Sequence, residues 1–280
     1  MSNNPGGKTF RKILKYAVLV VITAIVLVPF YWMAISSLKD YQQVLSFPPT
    51  WFPWPIAWEN YVLLFTKQPF HLYLFNSLYI GFLVTAGTCL FAAMAGYAFA
   101  KIRFPLRNTI FLILLSSMMI PTEVTAVPLF IGLSQFGLVN THFPLIVPPM
   151  LGAQGMFGVF LARQFFLTIP DELCEAAKID GCSPLRTFRV IMWPLATPAV
   201  TTLAIITFLH SWNEFFEPLI YLNSSNLYTI PLALSLFSTD SGNDWHLVMA
   251  ASAVATVPLL IMFFLAQKKF IEGIALSGMK

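Results

Sequence analysis

Apolar residues run through this chain in long stretches, broken by short segments where the charged residues gather. Six stretches reach the roughly 20 residues that carry an α-helix across about 30 Å of hydrocarbon. They cover residues 16–37, 72–100, 108–133, 143–166, 195–222 and 245–266. The pattern predicts an all-α, polytopic membrane protein with six transmembrane helices, several long enough to tilt. The chain then divides into a cytoplasmic N-terminal segment 1–15, a first helix 16–37 and an external loop 38–71. A five-helix core 72–267 with a cytoplasmic loop 168–194 follows, and then a cytoplasmic tail 268–280.

The distribution of lysine and arginine sets the expected orientation. Lys8, Arg11, Lys12 and Lys15 precede the first stretch, and Lys101, Arg103 and Arg107 lie between the second and third. Arg163, Lys178, Arg186 and Arg189 separate the fourth from the fifth, and Lys268, Lys269 and Lys280 follow the sixth. Only Lys39 and Lys67 fall opposite, so the positive-inside rule puts both termini in the cytoplasm. The basic N-terminus and the apolar stretch after it resemble a signal peptide. However, the stretch runs on into Phe30-Tyr31-Trp32 without a clear cleavage site, which predicts a retained helix. In 38–71, Pro48, Pro49, Pro53 and Pro55 limit helix formation, and the indoles of Trp51, Trp54 and Trp58 favour the headgroup level; the segment reads as an interfacial loop or a docking surface for an external partner.

Composition agrees. Of 280 residues, 58% are hydrophobic and 10% charged, against about 25% charged in soluble domains. The net charge of +4 is spread over short loops, so it reports topology and argues against nucleic acid. Cys89, Cys174 and Cys182 form no paired framework and read as free thiols, and the four histidines lack ligand spacing; no metal or cofactor is expected. Gly6-Gly7-Lys8-Thr9 has Ser2 where a phosphate-binding loop needs glycine, so energy must come from another chain. An intramembrane protease would need paired catalytic groups. His210 and Ser211 are adjacent and point to different helix faces, and no span carries an aspartate, so no enzyme is expected.

Loop 168–194 carries the strongest local signal. Thr168 and Asp171 have capping-box spacing, Glu175-Ala176-Ala177-Lys178 are good helix formers, and Gly181 suits a left-handed stop. Ser183-Pro184 reads as N-cap and N1 of a second helix, with Leu185, Phe188, Ile191 and Met192 on its apolar side and Trp193-Pro194 as its stop. The result is a compact helix–turn–helix that could pass force from a soluble partner to the membrane helices. Glu175-Ala176-Ala177, Gly181, Ile191 and Pro194, at these spacings, resemble the EAA loop of ABC importer permeases, with Cys182 and Trp193 as apolar departures.

The resemblance extends over nearly the whole chain and narrows to the carbohydrate-uptake type. It is carried by Glu59-Asn60-Tyr61, Asn76-Ser77-Leu78, the run 95–101, Met119-Ile120-Pro121, Pro128-Leu129-Phe130, the run 160–165 and Trp212-Asn213-Glu214. It implies the type I importer (MetI-like) permease fold in a bacterial or archaeal inner membrane. The implied partners are a second permease subunit, two ATPase subunits, an extracytoplasmic solute-binding protein and membrane lipid. It further implies that Glu175 forms a salt bridge with the ATPase, that Ala176 and Ala177 allow close approach, and that Gly181 makes the turn, with Asp180 and Pro194 in the same coupling set. A secondary transporter or channel acting alone is the rival; it would show intramembrane charges for ion coupling and no docking loop.

Charge inside hydrocarbon costs at least about 2.5–3.5 kcal/mol on insertion scales, so acids within spans point to a path or an interface. Glu123, Glu214 and Glu217 qualify, with Glu217 and Glu214 also readable as residues of the outer headgroup level. Gln154, Trp212 and Asn213 have chemistry suited to sugars, and with Glu123 and Glu214 they form the candidate pathway set. Ala92, Gly96 and Ala100 are spaced as a helix-packing face.

Overall fold

The computed structural model describes residues 5–239 and 242–277. In chain order the helices are α1 (Pro5–Ser36), α2 (Tyr41–Val44), α3 (Glu59–Lys67), α4 (Phe70–Lys101), α5 (Arg107–Ser116), α6 (Thr122–Gln135), α7 (Phe143–Leu151) and α8 (Ala153–Thr168). They continue with α9 (Glu172–Ile179), α10 (Pro184–Thr187), α11 (Trp193–Leu195), α12 (Thr197–Asn213), α13 (Phe216–Tyr221), α14 (Ile230–Leu234) and α15 (Trp245–Ser277). The only strands among the described residues are an antiparallel pair, Ser238–Thr239 with Gly242–Asn243.

Four spans are single candidates by length and apolarity: Arg11–Ser36, Phe70–Lys101, Phe143–Thr168 and Trp245–Leu265. Two more arise only if a bent pair counts as one span: Arg107–Met119 with Thr122–Gln135, bent by 98°, and Pro184–Leu195 with Thr197–Asn213, bent by 77°. The expected third span is therefore not one kinked helix. It breaks at Ile120-Pro121, where proline withholds an N–H, while Pro128 sits inside α6. The expected fifth span stops at Asn213, short of Leu222, and the expected fourth is interrupted at Gly152 after Pro148 and Pro149.

The chain forms two compact units. In the unit of residues 1–68 and 236–257, the proline-rich segment is more ordered than its composition predicts, because it carries α2 and α3. Buried Asn60 ties it down, donating through Nδ2 to the carbonyls of Ser37 (2.8 Å) and Lys39 (2.7 Å). Lys39, one of the two lysines on the sparse side, is itself buried. Its ammonium donates to the Thr50 carbonyl and lies 4.2 Å from the Trp32 ring centroid.

The unit of residues 69–235 and 258–280 centres on α4. Small residues let α8 close on it, as their spacing along α4 predicts. A Cβ on Gly96 would stand 2.6 Å from Ala162 Cβ and 2.8 Å from the Arg163 nitrogen, and one on Gly158 would stand 2.8 Å from Ala92 Cβ. Around this contact Tyr97, Phe166, Phe188 and Met192 pack into one apolar cluster. At the opposite end of the unit, Asn140 pins two loops together from a left-handed backbone (φ 58°). Its Oδ1 accepts from the backbone nitrogens of Asn223 and Ser224, each at 2.9 Å, and its Nδ2 donates to Ser224 Oγ at 2.8 Å. Each such bond contributes about 1 kcal/mol net, and alanine tolerates this backbone poorly. Asn140→Ala should therefore lower stability by about 3 kcal/mol, read as an earlier thermal unfolding midpoint in detergent; an unchanged midpoint would refute the tie.

Candidate functional site

Two features stand out: an exposed helical loop, and a cavity among broken helices. The loop begins where Lys101, the last residue of α4, reaches across to it. The Lys101 ammonium, only 4% exposed, donates to the Ile169 carbonyl at 2.5 Å and pairs with the Asp171 carboxylate. The hydrogen bond from Lys101, and then its charge, hold the Asp171 carboxyl below the usual carboxylate range. A lowered value means the pairing is intact above that range and lost only as pH falls through it, so it is constant near neutrality. This replaces the expected capping box. Asp171 makes no side-chain cap, because its carboxylate is taken by Lys101. Thr168 belongs to the last turn of α8, where its hydroxyl donates back to Phe165.

The stop of α9 follows expectation. Gly181 has φ +78°, the Cys182 nitrogen donates to Ala177 O (2.9 Å) and the Gly181 nitrogen to Lys178 O (3.1 Å), the two bonds of a Schellman motif. Ser183 then caps α10, accepting from the Arg186 nitrogen at 3.3 Å, with Pro184 at the first helical position. Beyond it the expectation fails. Trp193-Pro194 does not end the second helix; the chain widens into a π-turn over Phe188–Met192, continues through α11, and bends only at Ala196. A proline ring collides with the carbonyl four residues back in an ordinary α-helix, and the wider turn makes room for it. Phe188 and Met192 are buried as expected, whereas Leu185 is 65% exposed.

Of the residues assigned to coupling, Glu175, Ala176, Asp180, Gly181 and Pro194 are exposed. Ala177 is buried within the chain itself, so it supports α9 from behind and is not available for close approach to a partner. Ile179, at 85% exposure, presents an isolated apolar side chain on the same short helix.

The cavity, of about 640 Å³, falls within the range of roughly 300–1,000 Å³ typical of ligand sites. Three interruptions of helix converge on it. Ser117, Ile120 and Thr122 come from the α5–α6 break, Pro149, Gly152 and Gln154 from the α7–α8 break, and Glu214 and Glu217 from the α12–α13 break. Each break has a local cause: Pro121, the Pro148-Pro149 pair ahead of Gly152, and Pro218 with Glu214. Glu214 Oε1 accepts from the backbone nitrogens of Phe216 (2.9 Å) and Glu217 (3.1 Å), and so starts α13 afresh. The Tyr221 hydroxyl donates to Ala126 O at 3.3 Å and joins α13 to α6 along one wall.

Of the candidate pathway set, Gln154 and Glu214 line this cavity, and three do not. Trp212 is buried and stacked on Phe208 with centroids 5.6 Å apart. Asn213 turns back to donate to Leu209 O at 2.7 Å, and Glu123 is exposed in the first turn of α6 outside the lining. His210, Ser211, Glu217, Thr125 and Thr229 line the cavity without having been placed in that set. Helical spacing held the clue for part of it: Ile206 and His210 fall four apart on one face of α12, with Glu214 four further on just past its end, and Phe208 and Trp212 on another face.

Backbone that leaves the helix within an apolar bundle is tolerated where it lines a polar hollow, the construction of membrane permeases. Comparison with known proteins gives the kind. Residues 89–275 match the model of the family described as binding-protein-dependent transport system inner membrane component. The chain is 36% identical over 229 residues to the arabinooligosaccharides transport system permease protein AraQ of Halalkalibacterium halodurans, covering 81% of each. It is 33% identical over 270 residues to the sn-glycerol-3-phosphate transport system permease protein UgpE of Pectobacterium atrosepticum, covering 94% of this chain and 95% of that one. In structure it is similar to a chain of a bacterial ABC transporter involved in the import of the acidic polysaccharide alginate, with TM-score 0.81, 20% identity, and coverage of 96% and 99%. The protein belongs to the binding-protein-dependent inner-membrane permease family, as a non-catalytic permease subunit of an ABC importer of the carbohydrate-uptake type.

Proposed function

We propose that this chain forms one half of a pore through which a carbohydrate or carbohydrate-like solute moves inward by alternating access, driven by a separate ATPase. The observation that carries this reading is the convergence of three helix breaks on one cavity, mostly apolar with a few polar side chains, in the same unit as the exposed α9 loop. In this reading an ATPase subunit grips α9 through Glu175, Ala176 and Asp180, with Gly181 as the pivot. Lys101 ties the loop to α4, so movement of the loop becomes movement of the helix that contributes Ile80 to the cavity lining. A second permease subunit completes the pore, and a solute-binding protein docks on the far side. Both termini lie with the ATPase, as the basic residues predict. The relative named for arabinooligosaccharides supports the carbohydrate solute class.

The test is purification from native membranes through a tag on this chain, followed by reconstitution. An ATP-hydrolysing subunit should co-purify in stoichiometric amount, and hydrolysis should rise several-fold when a sugar-loaded binding protein is added. Solute uptake by this chain without any ATPase would overturn the proposal.

A further inference from the structure

We propose that Glu214 and Glu217 give the cavity a charge preference, so that it admits uncharged, hydroxyl-rich solutes and holds back those bearing a carboxylate or phosphate. The proposal rests on the reading that the cavity is part of the solute path, and it adds a selectivity which that reading leaves open.

The two carboxylates lie three residues apart in the chain, both in the lining, which contains no lysine or arginine. Glu214 is held in place by two backbone nitrogens, while the Glu217 carboxylate makes no hydrogen bond or ion pair among the described residues. Helix N-termini, each equivalent to about half a positive charge, could offset them. Those ends are partly spoken for: Glu214 caps α13, and Glu123 occupies the first turn of α6. α8 and α14 bring N-termini without an acid to the cavity, together about one positive charge at most against two carboxylates, so the balance stays negative. At an effective dielectric of about 20, one ionised carboxylate about 8 Å away disfavours a monoanion by roughly 30-fold.

A second observation points to the kind of ligand. Gln154 Nε2 is buried without a hydrogen-bond partner, and so is Thr229 Oγ1 on a residue only 4% exposed. Both residues line the cavity. Unpartnered buried polar atoms are costly unless something fills the site. The groups waiting there are mixed: an amide donor, a hydroxyl, and carboxylate acceptors. Hydroxyls of a sugar both donate and accept, and so can satisfy all of them; a carboxylate or phosphate only accepts.

The field can be read without knowing the solute. Ser211, in the same lining, is changed to cysteine in a background where Cys89, Cys174 and Cys182 are serine, with Thr125→Cys as a second reporter. The intact tagged transporter in liposomes at pH 8, where imidazole charge does not enter, is treated with thiosulfonates of three charges. These are trimethylammonium-ethyl (cationic), sulfonatoethyl (anionic) and methyl (neutral). Relative to a free thiol, the cationic reagent should react at least ten-fold faster than the anionic one, and Glu214→Gln with Glu217→Gln should remove most of that ratio. Equal relative rates for both charges would overturn the charge preference and leave the path intact. Absence of reaction with all three reagents at both reporters, in a transporter hydrolysing ATP, would overturn the path itself and the inference with it.

Discussion

Gly155→Ala should leave little folded protein, although alanine is the better helix former. A Cβ at this position would stand 1.8 Å from the Met150 carbonyl oxygen and 2.6 Å from its carbon. Both are backbone atoms fixed by the α7–α8 break, so no side chain can swing aside. Overpacking typically costs about 1–3 kcal/mol, and this contact belongs at or above the upper end of that range. The control is Gly132→Ala on α6, where nothing lies within 4 Å of the added carbon. There the change should be neutral or stabilising by up to about 1 kcal/mol, from helix propensity alone. Yield after detergent extraction and the thermal midpoint distinguish the two. A Gly155→Ala protein as stable as the parent would mean that the helix is not interrupted at Gly152 in this way.

The second large effect is on energy transfer. Glu175→Lys should reduce ATP-driven uptake at least ten-fold while insertion and thermal stability remain those of the parent. Glu175 is exposed in the first turn of α9 and makes no ion pair among the described residues, so its removal costs the chain itself little. Reversing its charge puts a cation against the helix N-terminus and opposite whatever basic group the partner presents. Uptake and co-purification of the ATPase, measured on the same preparation, test this. Full uptake would remove Glu175 from the interface, whereas loss of insertion would make its role structural. Ala177 offers a contrast: being buried, its enlargement should destabilise the loop before it affects any partner.

What could be read from the chain follows from how local each signal is. The membrane class needed only the length of apolar stretches. The end of α9 at Gly181 and the start of α10 at Ser183-Pro184 depend on a few adjacent residues, and the structure has both. The Thr168–Asp171 box failed because the competitor for Asp171, Lys101, lies 70 residues away. The Trp193-Pro194 stop failed because a π-turn can absorb a proline, an option that spacing alone does not reveal. Trp212 was misplaced because an indole suits a sugar platform and an apolar core equally well; only its stacking on Phe208 decides between them.

By itself, then, the sequence determined an apolar helical protein for the bilayer, its basic-side asymmetry, its family and the turn after α9, since hydrophobic length, charge position and turn chemistry are properties of neighbouring residues. Tertiary structure decided which acids face the cavity, which alanine of the loop is buried, and where three helices break around one space. Those outcomes depend on the packing of segments far apart in the chain, where a single glycine or lysine meets a partner that no local pattern names.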